Sequence, residues 1–208
     1  MDGRSRPARL AFPFALMLLS IGCRPGRTPE EAEAIALVER LGGRVKSDDA
    51  RSSRPVVEVA LGGTRITDAE LARLVVFTQL QTLSLFDTAV SDEGLEHLAS
   101  LVNLQTLYLG RTRITEAGLQ RLAVGQAFQP DIPGARAERQ AGKPELRPDA
   151  GLGKLQTLGL SDTPISDASI DVLARFAALR SVNLRRTRVT AAGAARLRQS
   201  RPDLIVHF

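Results

Sequence analysis

The sequence predicts an α/β solenoid, a stack of strand–turn–helix units with a helical cap at its N-terminal end. Three observations predict it. Five segments of one design occur along the chain. They recur every 24 residues in three of the four steps, and after 51 residues in the step from the third to the fourth. The 208 residues are 43% hydrophobic but only 4% aromatic, with no Trp, so the core is built from Leu, Val, Ile and Ala in thin, regular layers. A chain of this length is expected to form one domain with short appendages.

Each unit opens with a short alternating strand: Val57–Leu61, Gln81–Leu85, Gln105–Leu109, Gln156–Leu160 and Arg180–Leu184. The alternation puts paired leucines such as Leu83 and Leu85 on one face. A Thr closes each turn, at Thr64, Thr88, Thr112, Thr163 and Thr187. A β-branched residue follows, and then a Ser or Thr that is usually followed by an acid, as in Thr67-Asp68, Ser91-Asp92, Thr115-Glu116 and Ser166-Asp167. The hydroxyl is a helix N-cap, and the acid meets the positive end of the helix dipole. Thr67 with Glu70 makes a capping box. Leucines three apart then mark the buried side of each helix: Leu71 and Leu74, Leu95 and Leu98, Leu119 and Leu122.

The segment Leu80-Gln-Thr-Leu83-Ser-Leu85-Phe-Asp-Thr88-Ala-Val90 resembles the leucine-rich-repeat family, with Thr at the usual Asn or Cys position. The Thr-x-[Ile/Val]-[Ser/Thr]-Asp version is similar to the short α/β repeats of bacterial proteins. The resemblance covers residues 56–208 apart from an insert. It implies a leucine-rich-repeat solenoid with parallel strands on a concave face and helices on a convex face. It also implies that partners are contacted by outward strand positions. A single unit cannot bury its leucines, so units stack and share them.

The stack needs ends. Thr28-Pro29-Glu30-Glu31 starts a helix that runs to about Leu41, with Ala32, Ile35, Val38 and Leu41 on one side and Gly42-Gly43 as the stop. This helix is expected to cap the first repeat, residues 23–55 serving as linker and cap. At the other end Leu204–Phe208 reads as a last short strand, with Val206 and Phe208 covering the core. Residues 124–150, rich in Pro, Gly and charge, form an insert between the third and fourth repeats and are expected to be a disordered loop.

Residues 1–22 read as a signal peptide. Arg4, Arg6 and Arg9 precede an uncharged run from Leu10 to Ile21, which is too short to span a bilayer as a helix. The run ends in Gly22-Cys23, with the only Cys of the chain. It resembles a bacterial lipoprotein signal, although Ser20 stands where that family usually has Leu. The resemblance implies acylation of Cys23 and tethering to a membrane of the cell envelope, since several acyl chains are needed for durable anchoring. Arg24, in place of an Asp that would favour inner-membrane retention, points towards the outer membrane.

Nothing in the sequence calls for catalysis, a cofactor or a metal. His97 and His207 are the only histidines, and no paired Cys, HExxH or Gly-x-Ser-x-Gly occurs. The net charge is +5, but acids and bases interleave, so no nucleic-acid partner is expected. A protein partner is expected instead, its identity and the oligomeric state being outside what residue types specify. The aromatic anchors on the strand face are Phe86 and Tyr108, two solvent-facing rings whose presence folding does not explain. Asp87, Arg111, Asp162, Arg185 and Arg186 surround them with both charges. The last repeat is basic, with seven arginines from Arg180 to Arg201 against Asp203. The alternative to a binding module is a structural or vestigial repeat array without a specific partner.

Overall fold

The computed structural model describes residues 27–124 and 152–208. Cys23, the signal segment and nearly all of the insert lie outside the described residues. Seven strands form one sheet in chain order: β1 (Arg44–Ser47), β2 (Val56–Ala60), β3 (Thr82–Ser84), β4 (Thr106–Tyr108), β5 (Thr157–Gly159), β6 (Ser181–Asn183) and β7 (Ile205–His207). β2 to β7 are parallel, and their register is the repeat itself: Leu83 stands beside Leu107, Leu107 beside Leu158, and Leu158 beside Val182. The helical layer packs on one side of this sheet. It consists of α1 (Pro29–Arg40), α2 (Asp68–Leu71) running into a 3-10 turn (Ala72–Val76), α3 (Asp92–Leu98), α4 (Glu116–Val124), a 3-10 turn (Asp167–Ser169) leading into α5 (Ile170–Ala174), and α6 (Ala191–Ser200). Between the layers lies a continuous aliphatic core, in which the strand and helix leucines named above for the five repeats are all buried. Each such leucine contributes roughly 1.5–3 kcal/mol through loss of water contact.

Thr28 caps α1, and Pro29 starts it. The buried side of α1 is Ala34, Leu37 and Val38, while Ile35 and Leu41 only pack at its margin and Ala32 is half-buried. The stripe is therefore turned from the one the apolar spacing suggests, because α1 packs against both β1 and the 3-10 turn of the first repeat. The cap also contains an unpredicted strand. β1 pairs antiparallel with β2, Val45 opposite Val59, and closes the edge of the parallel sheet. At the far end Val206 is buried as expected, but Phe208 is 52% exposed. Phe208 continues the column of Leu61, Leu85, Leu109, Leu160 and Leu184, and among the described residues no further repeat lies over it.

Within a repeat, the Thr hydroxyl donates to the carbonyl three residues earlier: Thr64 to Leu61, Thr88 to Leu85, Thr112 to Leu109, Thr163 to Leu160 and Thr187 to Leu184, at 2.6–2.7 Å. These bonds close each turn and do not join repeats. Beside the strand ladder, the side chains that join repeats are the acids that follow the helix caps. Asp68 accepts from both the backbone N–H (2.9 Å) and the hydroxyl (2.6 Å) of Ser91 in the next repeat. Asp92 does the same to Thr115 (2.8 and 2.5 Å), and Asp167 to Thr190 (2.7 Å each). Glu116 reaches Ser166 across the long step, one oxygen taking both bonds at 2.9 and 2.6 Å. The caps predicted from sequence are present, and the acids have this further role between repeats that capping alone does not express.

The clasp constrains a third position. A Cβ on Gly94, Gly118 or Gly193 would overlap the carboxylate of Asp68, Asp92 or Asp167. The first repeat receives no clasp and has Glu70 there, turned back on Thr67. The fourth receives the longer Glu116 and has Ser169, fully buried, whose hydroxyl lacks a partner among the described residues.

Two outcomes follow from this geometry. Asp92→Ala leaves the part-buried Thr115 donors unmet and should destabilise by about 1–3 kcal/mol. Gly118→Ala should also be destabilising, but less so in the Asp92→Ala background; chemical denaturation of the two single variants and the double should give a coupling of at least about 1 kcal/mol, since the overlap disappears with the carboxylate. The second outcome concerns pH. The hydroxyl of Ser166 above all, with backbone donors, holds the Glu116 carboxyl below its ordinary 4.5, and the Thr190 hydroxyl and N–H hold Asp167 below 3.8. A carboxyl depressed in the folded state stabilises above its unfolded pKa, and that contribution is lost as pH falls through the folded value. Melting temperature should therefore be level above about pH 5 in this respect and fall progressively below 4.5. A Thr190→Val variant should show a weaker acid dependence.

Candidate functional site

The outward side of the strands is built mostly of small residues. Thr82, Thr106, Thr157 and Ser181 lie in register across β3 to β6, and Ser84, Tyr108, Gly159 and Asn183 form the next row. Two rings rise from this floor, Phe86 at 39% exposure and Tyr108 at 42%. Each leans towards the next repeat. Gly110 is buried against Phe86, where a Cβ would come 2.8 Å from the ring. Gly159 is buried against Tyr108 in the same way, at 2.9 Å. More than half of each ring is thus covered by its own solenoid. The rings contribute to packing between repeats, which corrects the expectation that folding leaves them unexplained. Their remaining surface stays open on the strand face.

Phe86 is followed by Asp87 at a corner repeated in every unit. The residues Gly63, Asp87, Arg111, Asp162 and Arg186 all have a left-handed backbone, with φ from 56° to 71°. A side chain there costs about 1–2 kcal/mol relative to ordinary backbone, which Gly63 avoids. The corner is kept because its N–H joins adjacent repeats: Gly63 donates to Phe86, Asp87 to Gly110, Arg111 to Ser161 and Asp162 to Arg185, at 2.8–3.0 Å. The column also alternates in sign. Arg111 lies 3.9 Å from Asp87, and Arg186 3.6 Å from Asp162. The Arg111 guanidinium is in addition 5.8 Å from the centre of the Phe86 ring. These pairs are largely exposed, so each is worth at most about 1 kcal/mol; their effect is to hold the charges in fixed places beside the rings.

The structure therefore brings Phe86, Asp87 and Arg111 together and sets Tyr108 beside them on the adjacent strand, while Asp162, Arg185 and Arg186 form a second group two repeats further on. The basic C-terminal unit separates into two kinds of arginine. Arg201 is a structural residue, with a side chain only 15% exposed. It donates to the carbonyls of Ala174, Phe176, Ala177 and Leu179, and to Asp203, whose carboxyl it holds below the usual range. Arg198 donates to Val206 O on the edge strand, and Arg196 pairs with Asp171. Arg180, Arg185 and Arg188 have no carboxylate within 4 Å among the described residues. Charge counting cannot make this division, because it depends on which carbonyl ends the fold brings near each guanidinium. Among the described residues no group of three His, Cys, Asp or Glu could hold a metal ion, and no helix is long and apolar enough to cross a membrane.

The strand register and the spacing of the turns define one architecture, and a family model matches one of its units. The family model described as Leucine Rich repeat matches residues 78–99, the segment from the loop before β3 through α3. The fold is a leucine-rich-repeat solenoid. Among solved structures, the chain is similar to internalin C2 of Listeria monocytogenes, with 26% identity over 65% of this chain and 44% of that one, at a TM-score of 0.42. It is similar to the Listeria internalin InlF at 18% identity, covering 69% and 38% of the two chains with a TM-score of 0.40. It is also similar to a leucine-rich-repeat protein of Leptospira interrogans at 14% identity, covering 73% and 37% with a TM-score of 0.42. The chain spans less than half the length of each of these. No curated protein matches it. Leucine-rich-repeat stacks commonly mediate protein–protein interaction through the extended face that the strands line.

Proposed function

We propose that this chain is a non-catalytic protein-binding module of a bacterial cell envelope, exported and tethered by lipid on Cys23, which takes its partner on the strand face around Phe86 and Tyr108. The observation that carries the binding reading is the pair of half-open rings on a floor of Thr, Ser and Gly, flanked by fixed charges of both signs. Aromatic side chains dominate the energetics of interfaces, and rings already held against backbone lose little freedom when a partner covers them. The tethering reading is supported by residues 1–23 alone: a basic start, a twelve-residue apolar run, and then Gly22 and the single Cys.

Each half has its own test. If Cys23 is the anchor, Cys23→Ser should move the chain from the membrane to the soluble fraction and abolish labelling by a fatty-acid probe; membrane retention without any lipid on the wild-type chain would refute the tether. For the strand face, Phe86→Ala with Tyr108→Ala should weaken capture of a bound protein at least roughly thirtyfold, as loss of two interface anchors does. Because both rings also pack on glycines, the melting temperature should fall modestly, by a few degrees. A partner that binds this variant with undiminished affinity would place the contact elsewhere.

A further inference from the structure

The five strand-to-helix turns carry a line of charge of which the ring site takes in only Asp87 and Arg111. They read Gly62-Gly-Thr-Arg65-Ile, Phe86-Asp-Thr-Ala89-Val, Gly110-Arg-Thr-Arg113-Ile, Ser161-Asp-Thr-Pro164-Ile and Arg185-Arg-Thr-Arg188-Val. Six arginines against two aspartates leave these turns at +4. Arg111 and Arg186 are engaged with Asp87 and Asp162. Arg65, Arg113 and Arg188 are exposed and have no carboxylate within 4 Å among the described residues, although Arg188 lies near enough to Glu116 to favour its charged form. They occupy one position, directly after the turn Thr, in the first, third and fifth repeats; Ala89 and Pro164 fill it in the second and fourth.

The turns are stacked by backbone hydrogen bonds, including Arg113 N–H to Val90 O and Arg188 N–H to Ile165 O, so they follow the spacing of the strands. Adjacent strands are about 4.8 Å apart, which sets Arg65, Arg113 and Arg188 about 9.6 Å from one another in series. An extended polyproline-type segment repeats every three residues and advances about 9.3 Å in doing so. We propose that these three arginines form a docking line for an acidic, extended segment of a partner protein, running across the repeats with a carboxylate at every third residue. This rests on the reading that the strand face binds protein, and it names the chemistry of one part of that partner. Phe86, beside Asp87 at the margin of the line, would receive an apolar residue of the same partner. A nucleic-acid strand carries a charge about every 3.4 Å and would press phosphates onto Asp87 and Asp162, whereas carboxylates spaced three residues apart fall between them.

The test uses the full chain and fluorescein-labelled Glu-Pro-Pro repeat peptides, read by anisotropy at low and at physiological ionic strength. The regular peptide should bind, weaken with salt, and lose at least roughly tenfold in affinity to the Arg65→Glu, Arg113→Glu, Arg188→Glu variant, whose melting temperature should fall by no more than a few degrees, because all three side chains are exposed and Arg188 acts on Glu116 only from beyond 4 Å. A peptide of the same composition with its glutamates adjacent should bind more weakly. Equal binding of the two peptides, or undiminished binding to the charge-reversed variant, would overturn the proposal. So would binding only of phosphatidylglycerol vesicles or of an oligonucleotide, each sensitive to the same reversal. If the Glu-Pro-Pro peptide fails while the Phe86→Ala, Tyr108→Ala variant still loses a captured protein, the docking line is wrong and the strand-face reading stands. If that variant retains its partner while the peptide binds, the reverse holds.

Discussion

The stack depends on a carboxylate handed from each repeat to the next. Leucines alone would let neighbouring units slide, since aliphatic packing has little directional preference. Asp68, Asp92, Glu116 and Asp167 each take two donors from the cap residue of the following unit, and that fixes where the next helix begins. A residue that starts its own helix thereby also sets its neighbour's. The same contact explains the small residue at the third helical position, because a carboxylate occupies the space a side chain would need. It explains both ends as well: the first repeat has Glu70 in place of that glycine, and the last has Ala191 in place of the acid.

At the corner just after each strand the constraint is backbone rather than side chain. The left-handed corner lets the N–H ladder continue past the strands into the turns. Four of the five corners carry Asp or Arg despite the steric penalty, so their charges follow one another from repeat to repeat along the edge of the strand face. The rings belong to the same design. Phe86 and Tyr108 each rest on a glycine of the following strand, which holds them in place and leaves one side open. Stability and recognition therefore share residues here, and neither ring can be assigned to one alone.

The repeat was legible because its signals are local and occur five times. Strand alternation, the closing Thr, the hydroxyl cap and the leucines three apart each follow from short-range chemistry, and the structure has all of them. The antiparallel strand Arg44–Ser47 was not legible, since one apolar residue among four gives no pattern and its pairing with β2 is a matter of chain reversal. The buried side of α1 was misjudged by about one residue step, because the first repeat chooses among several apolar residues by shape. Phe208 was expected to cover the core beside Val206, yet it extends the leucine column and is half exposed.

By itself the sequence determined the repeat length, the strand and helix of each unit, the parallel stacking and the candidate rings, since each depends on residue type and spacing. Only the tertiary structure decided what the charges do. Asp92 and Asp87 stand five residues apart in one repeat, yet one is an internal clasp and the other an exposed corner charge. Arg201 and Arg188 both look like surface arginines, yet one binds four carbonyls and the other has no carboxylate within 4 Å among the described residues. Such roles depend on which atoms of a neighbouring repeat come within hydrogen-bonding distance, and that distance exists only once the repeats are stacked.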